Sequence, residues 1–433
     1  MSLRSILCLL SVVAAQEAFA GGYAINEQGA RATGKAGAFV AEASDPSAIT
    51  YNPAGLAGLE GVQAYVGMSL VAPSVSFTEQ GSGRATKASL SCTFASRSAC
   101  SDKLAPIPNL YLSDRLSPGN AIGIGVTAPF GLGLRWPWAD DSPERFEIRE
   151  QALSTLFISP VAALDASPYL SGLSVAIGFD VVPAHVFLRR DIALGEGEGS
   201  LRIGGDAVGA GGRLGILYVP PAVPGVRLGL TWRSPVTLDF HGLGDFEVKP
   251  GTPRSALPAD GKVTTQLTLP QSAAIGLAYN LSSWLGLEAD AEWFDWSVMR
   301  KIKIHLPDGS TSTSDKSWHD TFALRLGLTL GLGPLTIRGG VAYDRSPVPA
   351  TRLDPSLPDG DRILVAGGLG VALPGPLRFE IAGLYAPPIT RNTSDRRGEP
   401  SNKGTYHVSI WALSAGLGIA LENAPDTAPA ETK

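Results

Sequence analysis

The chain has 433 residues, of which 44% are hydrophobic and only 17% are charged, against about 25% charged residues in an average soluble protein. Its 51 glycines and 33 prolines are spread along the chain, a density that would break long helices and excludes a coiled coil or a helical bundle. A net charge of -5 without any basic run argues against nucleic-acid binding.

The first twenty residues have the pattern of a secretory signal peptide. Arg4 gives the positive region, Ile6 to Ala15 the apolar region, and Ala18 to Ala20 an A-x-A cleavage site. We predict a mature chain that begins at Gly21. No later run of about 18 apolar residues could form a transmembrane helix. An exported, apolar chain of this kind is a secreted β-protein or an outer membrane barrel.

Residues 21–60 follow the signal and do not alternate between apolar and polar positions. They are rich in Gly, Ala, Ser and Asp, with turn signals at 45–47 and 52–53. Composition alone leaves two places open for this segment, the periplasm or the inside of a barrel.

From residue 61 the sequence alternates with the period of a β-strand. Between Val226 and Phe240, apolar residues occupy nearly all even positions and polar ones most odd positions. Soluble strands are about 5–6 residues long, whereas these segments run to about 10–20, as tilted membrane-crossing strands do. We predict an all-β, 14-stranded antiparallel transmembrane β-barrel, with strands near 61–77, 106–116, 119–136, 146–165, 171–189, 200–219, 225–243, 261–279, 284–304, 318–331, 334–345, 361–373, 377–387 and 404–421.

Connections and local irregularities complete the prediction of the barrel. Short turns are expected on the periplasmic side and long loops outside, with a short outer connection at 190–199. The alternation changes phase near 296–298, which predicts a β-bulge. Four aromatic residues are expected in the interfacial girdles, namely Trp136, Trp138, Tyr111 and Tyr385.

Cysteine and histidine usage gives no sign of catalysis. Cys92 and Cys100 lie eight residues apart in a polar stretch, and either a disulfide or two free thiols is compatible with an exported chain. The five histidines lack metal-binding spacing, and no catalytic or nucleotide motif occurs. We therefore expect no enzyme activity, no metal site and no cofactor.

Several motifs along the mature chain are similar to those of one known family. They are the segments 22–27, 34–36 and 52–54 near the N-terminus, 128–132, 232–240, 269–270 with 293–297, and the loop segments 343–349 and 358–362. Together they resemble the FadL-type long-chain fatty acid and hydrophobic-compound transporters of bacterial outer membranes, which include aromatic hydrocarbon transporters. The resemblance covers essentially the whole mature chain.

The resemblance implies a domain organisation and a mechanism. Residues 1–20 would be the signal peptide, 21–60 a hatch inside the lumen, 61–421 the barrel and 422–433 a C-terminal tail. The chain would take up small hydrophobic molecules passively, with the hatch as a gate and lateral release through the wall beside a kinked third strand. The residues implicated in gating are Asn52, Pro53 and Ala54, expected to face the gap, and Pro129, Phe130 and Gly131 at the kink.

Inward-facing cations are candidates to bind a substrate carboxylate. Arg233, Arg325, Arg338 and Arg378 face the lumen by parity, although inward Glu and Asp residues are available to pair with them. His319 stands where the family has a lysine. The acidic residues of 359–361 could bind a cation, but an ordinary solvated loop is the expectation.

The segment 189–205 is shorter than the family's outer capture loop, which makes aromatic hydrocarbons or alkanes alternatives to fatty acids. A general polar-solute porin is the main alternative function, and an outer membrane enzyme or adhesin a weaker one. We expect a monomer in the outer membrane of a Gram-negative bacterium, with a hydrophobic substrate, outer-membrane lipids and the barrel-assembly machinery as partners.

Overall fold

A computed structural model describes residues 21–91, 103–194, 197–393 and 403–421. The predicted signal peptide, Cys92 and Cys100, and the predicted tail therefore lie outside the described residues. No helix in these ranges is long and apolar enough to span a membrane.

The alternating segments of the sequence form strands that pair in antiparallel order. Their bounds are β1 (Val62–Glu79), β2 (Ala85–Lys87), β3 (Ala105–Ser117), β4 (Asn120–Thr127), β5 (Gly131–Arg135), β6 (Glu150–Thr155), β7 (Phe157–Asp165), β8 (Leu173–Leu194), β9 (Gly197–Tyr218), β10 (Val226–Arg233), β11 (Val236–Val248), β12 (Gly261–Leu269), β13 (Ser272–Asn280), β14 (Leu285–Phe294), β15 (Lys301–His305), β16 (Thr311–Asp315), β17 (Thr321–Leu332), β18 (Leu335–Asp344), β19 (Arg362–Ala372), β20 (Leu377–Asn392) and β21 (Gly404–Leu421).

These strands make a closed wall of fourteen, as predicted. Six wall strands are each split in two by a short break, namely β4/β5, β6/β7, β10/β11, β12/β13, β14/β15 and β16/β17. β21 pairs with β1 from Val62–Leu421 to Glu79–Gly404 and closes the barrel. The short β2 pairs with β1 in an outer loop. Closure leaves no exposed sheet edge along this seam.

Apolar side chains of the strands cover the outside of the wall. Ile275 of β13 is 59% exposed and Leu326 of β17 is 58% exposed, whereas charged neighbours such as Glu288, Asp290 and Arg325 are buried. A soluble sandwich would reverse this arrangement, so the distribution is that of a barrel with a lipid-facing exterior.

Three details of the sequence prediction were wrong. The outer connection is shorter than 190–199, because β8 continues to Leu194 and β9 begins at Gly197. The phase change near 296–298 is a 3-10 helix, Trp296–Val298, between β14 and β15 rather than a bulge. Trp136, Trp138 and Tyr111 are buried inside, and of the four expected girdle residues only Tyr385 is exposed on the outside. The tryptophans follow the kinked β5, where the simple parity of a straight strand no longer applies.

The N-terminal segment, residues 21–60, packs against the inner wall. It contains two one-turn helices, α1 (Ala30–Thr33) and α2 (Ala48–Tyr51), and a 3-10 helix, Pro53–Gly58. Glycines of the wall allow its backbone to approach closely. A Cβ atom at Gly340 would lie 2.2 Å from the carbonyl carbon of Lys35, and one at Gly229 would lie 2.3 Å from the carbonyl oxygen of Val40.

Candidate functional site

The wall has a gap beside its third strand. β4 pairs with β3 from Leu110 onward, and β5 pairs with β6. Between them, Ala128 to Phe130 interrupt the strand, and Pro129 cannot donate to a ladder. Within the described ranges, no ladder joins β5 to the first residues of β3, Ala105–Asn109. The barrel is therefore open between these two strands.

The N-terminal segment covers the free edge of β5. The amide of Ile25 donates to the carbonyl of Pro129 at 2.8 Å, and the amide of Gly131 donates to the carbonyl of Tyr23 at 3.0 Å. Ala24 and Phe130 are thereby antiparallel partners. We call residues 21–28 the arm. It pairs with β5 like a short added strand at the kink, directly at the gap.

An apolar cavity of about 360 Å³ lies between the arm and the gap, which we call the inner cavity. Both sides of the gap line it, through Ala105 to Pro108 of β3 and Gly131 to Leu134 of β5. Its size falls within the range of about 300–1,000 Å³ typical of ligand pockets. A hydrophobic molecule in this cavity would be next to the opening in the wall.

A second apolar cavity of about 210 Å³, the outer cavity, lies on the side of the long loops. Tyr23, Leu132, Leu153 and Leu357 line both cavities and so form the partition between them. Arg190 and Lys316 also line the outer cavity. The Lys316 ammonium donates to Asp354 at 2.6 Å, while the Arg190 guanidinium donates to Ser312 at 3.3 Å.

Tyr23 is the aromatic centre of the partition. Its ring lies 4.7 Å from that of Trp296, 5.9 Å from Trp318 and 6.0 Å from Phe130. The ring is buried, and its hydroxyl has no hydrogen-bond partner among the described residues. Tyr23 belongs to the arm, so the arm contributes the central ring of the partition.

Asp359, in the loop after β18, holds the start of the arm. Its carboxylate accepts from the Gly22 amide and from the Ser346 hydroxyl, both at 3.0 Å. Burial raises the pKa of Asp359 to about 7, although nearby Arg362 opposes this shift. Asp361 accepts from the Tyr343 hydroxyl. The expectation of a solvated loop was wrong, since both carboxylates are buried parts of a hydrogen-bond network.

The rest of the N-terminal segment is fixed to the wall by charged groups. Lys35 pairs with Glu288 at 2.5 Å, and Glu288 also accepts from the amides of Ala41 and Glu42. Asp290 accepts from the amides of Phe39 and Val40. We call residues 30–60 the base. The base is held by buried ion pairs, whereas the arm is held by hydrogen bonds, such as those of Gln28 with the backbone of Ala128 and of the Ser69 hydroxyl with the Glu27 carbonyl.

Asn52, Pro53 and Ala54 lie in the base and were expected to face the gap. The Asn52 amide instead donates to the carbonyls of Val40 and of Ile216 on β9. Ala54 donates its backbone amide to the Asn52 side chain. Asn52 and Ala54 therefore contact β9 rather than β5. Pro53 lines a small cavity of about 50 Å³ together with Pro129 and Phe130.

The predicted lumen cations are separated from one another. Arg233 and Arg325 line the small cavity, where Arg325 pairs with Glu292 at 2.7 Å. Arg233 donates to the Thr50 carbonyl at 3.4 Å and lies over the Phe157 ring. Arg338 pairs with Glu380 at 3.3 Å and lines a different, polar cavity at the short-turn end.

His319 is a candidate because it stands where the family has a lysine. Its side chain is exposed, and the preceding residue, Trp318, takes the inward position beside Tyr23. The partition formed by Tyr23, Trp296 and Trp318 was not predicted from the sequence. The phase change of the alternation at 296–298 indicated a break in the wall there, but not which residues the break contacts.

Comparisons with family models and with known proteins identify the same family. Residues 11–411 match the model of a family described as outer membrane protein transport protein (OMPP1/FadL/TodX). A long-chain fatty acid transport protein of Escherichia coli O6:H1 is 24% identical over 421 residues, covering 88% of this chain and 90% of the relative.

Solved structures show the same fold. A Pseudomonas aeruginosa FadL homologue superposes with a TM-score of 0.79 at 17% identity, covering 92% of this chain and all of that one. The Ralstonia pickettii toluene transporter TbuX gives a TM-score of 0.69 at 18% identity, covering 91% of this chain and 98% of that one.

Proposed function

Because the chain belongs to the FadL and TodX family of outer membrane transport proteins, we propose that it admits small hydrophobic molecules by passive diffusion, with the arm as a gate and lateral release through the wall gap. The chain is thus an outer membrane β-barrel and a transporter rather than an enzyme.

One observation carries the proposal: the outer cavity, the partition and the inner cavity form an apolar series that ends at the opening beside β5. An apolar molecule gains about 0.8 kcal/mol for each methylene kept out of water. A route that ends in the wall delivers it to lipid without full hydration. A route through the polar cavity at the short-turn end would not.

The substrate class includes long-chain fatty acids and hydrocarbons. The relatives are named as transporters of long-chain fatty acids and of toluene. Arg190 and Lys316 offer positive charge in the outer cavity, and Arg233 offers it behind the kink. The inner cavity is mainly apolar. A carboxylate group would therefore bind most favourably in the outer cavity or in the small cavity behind the kink, rather than in the inner cavity.

Polar-solute permeation is less well supported. A porin needs a water-filled lumen, and here the base occupies the lumen through buried ion pairs such as Lys35–Glu288 and Arg31–Glu380. We further propose that one chain acts alone, surrounded by outer-membrane lipids after insertion by the barrel-assembly machinery, since the wall closes within a single chain.

A disulfide that reversibly attaches the arm to the start of β5 tests gating and release. The bonds that flank Ala24 and Phe130 make them a non-hydrogen-bonded antiparallel pair, for which a Cα separation of about 4.5 Å suits a disulfide. The variant A24C/F130C, in a C92S/C100S background, would be oxidised in outer membrane vesicles. Uptake of oleate, hexadecane and toluene would then be measured, with glucose as the polar control.

We expect the oxidised disulfide to abolish saturable uptake of the apolar substrate and reduction to restore it. The control S89C/R135C ties the same edge of β5 to a loop without touching the arm and should leave uptake unchanged. Equal uptake by oxidised and reduced A24C/F130C would contradict arm gating. Glucose uptake without any apolar uptake by the wild type would contradict the transport proposal as a whole.

A further inference from the structure

A row of polar residues crosses the outer surface of five neighbouring strands. Registers place His185 of β8 opposite Asp206 of β9, and His241 of β11 opposite both Asp206 and Thr264 of β12. Thr264 in turn lies opposite His305 of β15. Directly opposed residues in an antiparallel sheet share a face. The alternate residues Phe240, Thr265 and Ile304 line the outer cavity, so this row faces away from the lumen.

Three lysines accompany the row on β12 and β15. Lys262, Lys301 and Lys303 are exposed, and no ion pair joins any of them to a carboxylate within the described ranges. The acids on this face have neighbours of their own: Asp239 accepts from Gln266 at 2.7 Å, Asp245 lies opposite Arg202, and Asp315 pairs with Arg352 at 2.7 Å. We call Lys262, Lys301, Lys303, His241 and His305 the basic face. Lys301 lies opposite Asp315 and shares it with Arg352, whereas Lys262 and Lys303 have no ion-pair partner among the described residues.

The height of this face relative to the membrane follows from the aromatic residues below it. Trp293 of β14 lies opposite Phe322 of β17, and their outward side chains are 38% and 40% exposed. Outward aromatic residues of this kind mark the interface between hydrocarbon and headgroups. β15 follows Trp293 along the wall toward the long loops, so the basic face lies above the hydrocarbon, among the headgroups of the outer leaflet.

We propose that the basic face binds the phosphorylated saccharide headgroup of an outer-leaflet glycolipid. Phosphate groups supply the negative charge that the three exposed lysines attract. The exposed Gln266 amide and the partly exposed Thr264 hydroxyl on the same strand can bond sugar hydroxyls. A lipid is the favoured occupant because the face continues directly from the lipid-facing surface of the barrel.

The basic face and the gap lie far apart around the barrel. The basic face lies on the seventh to ninth wall strands, whereas the gap lies between the second and third, close to the opposite side. Outward residues by the gap are apolar, such as Leu110, Leu112 and Ile124. A firmly bound glycolipid would thus be held away from the exit, leaving the exit next to exchangeable lipid.

Native mass spectrometry of the full chain in neutral detergent tests the proposal. The apparent Kd would be measured for a bis-phosphorylated lipid A and for its dephosphorylated form. For K262Q/K301Q/K303Q we expect at least a tenfold weaker binding of the phosphorylated lipid, since each lysine near an anionic lipid surface contributes about fivefold. The dephosphorylated lipid should bind weakly to wild type and variant alike.

Two control variants make the result decisive. K87Q/K103Q/K403Q removes three other exposed lysines on the side of the long loops and should bind within twofold of the wild type, as should the charge-conserving K262R/K301R/K303R. The proposal would be overturned if K87Q/K103Q/K403Q lost as much affinity for the phosphorylated lipid as K262Q/K301Q/K303Q, or if K262Q/K301Q/K303Q bound that lipid as well as the wild type. Displacement of the lipid by a few millimolar inorganic phosphate would also overturn it, because the face would then be a site for free phosphate.

Discussion

Glu288 shows how one inward carboxylate fixes a segment far away in the sequence. It pairs with the buried Lys35 ammonium at 2.5 Å and accepts the amides of Ala41 and Glu42 at 2.7 and 3.0 Å. Both of its oxygens are engaged by donors of the base, Oε2 by Lys35 and Oε1 by the two amides. Its role is therefore to hold the base, and it is not free to bind a substrate.

Substituting Glu288→Gln should loosen the base. Removing one partner of a buried ion pair costs about 3–5 kcal/mol when the other charge is left uncompensated. Lys35 keeps its ion pair with Glu42 at 2.6 Å, so we expect the lower end of that range. We expect amide hydrogen exchange at residues 39–42 to accelerate by about a hundredfold or more. The exposed Glu247→Gln makes the same chemical change on the outer surface and should leave that exchange unaltered. Unchanged exchange in E288Q would contradict the role assigned to Glu288.

Asp359 makes stability depend on pH. Burial raises its pKa to about 7, against about 3.9 in an unfolded chain. Because the folded protein binds this proton more tightly, the resulting stability is complete below about pH 4 and is lost as the pH rises to about 7. Asp359→Asn keeps an acceptor for the Gly22 amide without the titration.

We therefore expect the unfolding free energy of the wild type, relative to D359N, to fall by about 2–3 kcal/mol between pH 5 and pH 8. Denaturant unfolding at the two pH values measures this difference. Asp308→Asn, an exposed aspartate in a turn, is the matched control, and its curve should stay parallel to that of the wild type. Parallel curves for D359N as well would mean that Asp359 titrates normally.

At the scale of elements, the contact between the N-terminal segment and the wall depends on glycines. The Cα of Gly340 on β18 faces the backbone of Lys35, and an added Cβ would lie 2.2 Å from its carbonyl carbon. Backbone cannot move aside as a flexible side chain can. The adjacent Gly339 has nothing within 4 Å of such a Cβ.

Gly340→Ala should displace the base, while Gly339→Ala should not. Overpacking of this kind typically costs about 1–3 kcal/mol, and relief by moving the base would open water-filled space beside β18. We expect frequent large conductance steps for G340A in planar bilayers and wild-type behaviour for G339A. Identical conductance of the two variants would show that the wall adjusts instead.

The breaks in the wall create the contacts between the wall and the arm. The 3-10 helix Trp296–Val298 between β14 and β15 turns Trp296 inward against Tyr23. The break at Ala128–Phe130 frees the edge of β5 for the arm. The alternation of the sequence located the break at 296–298, and the family resemblance implied the kink at 129–131, but the contacts across the lumen could not be predicted from either.

For the whole molecule, the closed wall and the filled lumen together decide what passes. Deleting residues 21–42 removes the arm, Arg31 and Lys35, and leaves Glu288, Asp290 and Glu380 on the inner wall without them. Unpaired charges are favourable only with water beside them. The lumen of the deletion variant should therefore fill with water.

We expect this deletion to admit glucose and to lose saturable uptake of the apolar substrate. Liposome swelling measures the first and uptake into outer membrane vesicles the second. A deletion of 306–310, the turn between β15 and β16 on the outer side, should change neither. A deletion variant of 21–42 that still excludes glucose would mean that the base is not what closes the lumen.

The sequence alone determined the barrel, its fourteen strands, their approximate bounds and the export of the chain. These follow from local patterns, because alternation with a period of two, turn residues and strand length are all expressed over a few neighbouring residues. The resemblance of its motifs also identified the family, which the match to residues 11–411 confirms.

Only the tertiary structure decided which residues meet in the lumen. Tyr23 and Trp296 are far apart in the chain, and so are Gly22 and Asp359 or Lys35 and Glu288. Parity showed that Arg325 and Arg338 face inward, but only the register of distant strands and the path of the base assign Glu292 to one and Glu380 to the other. Barrel curvature and the kinks set these distances, and no local pattern encodes them.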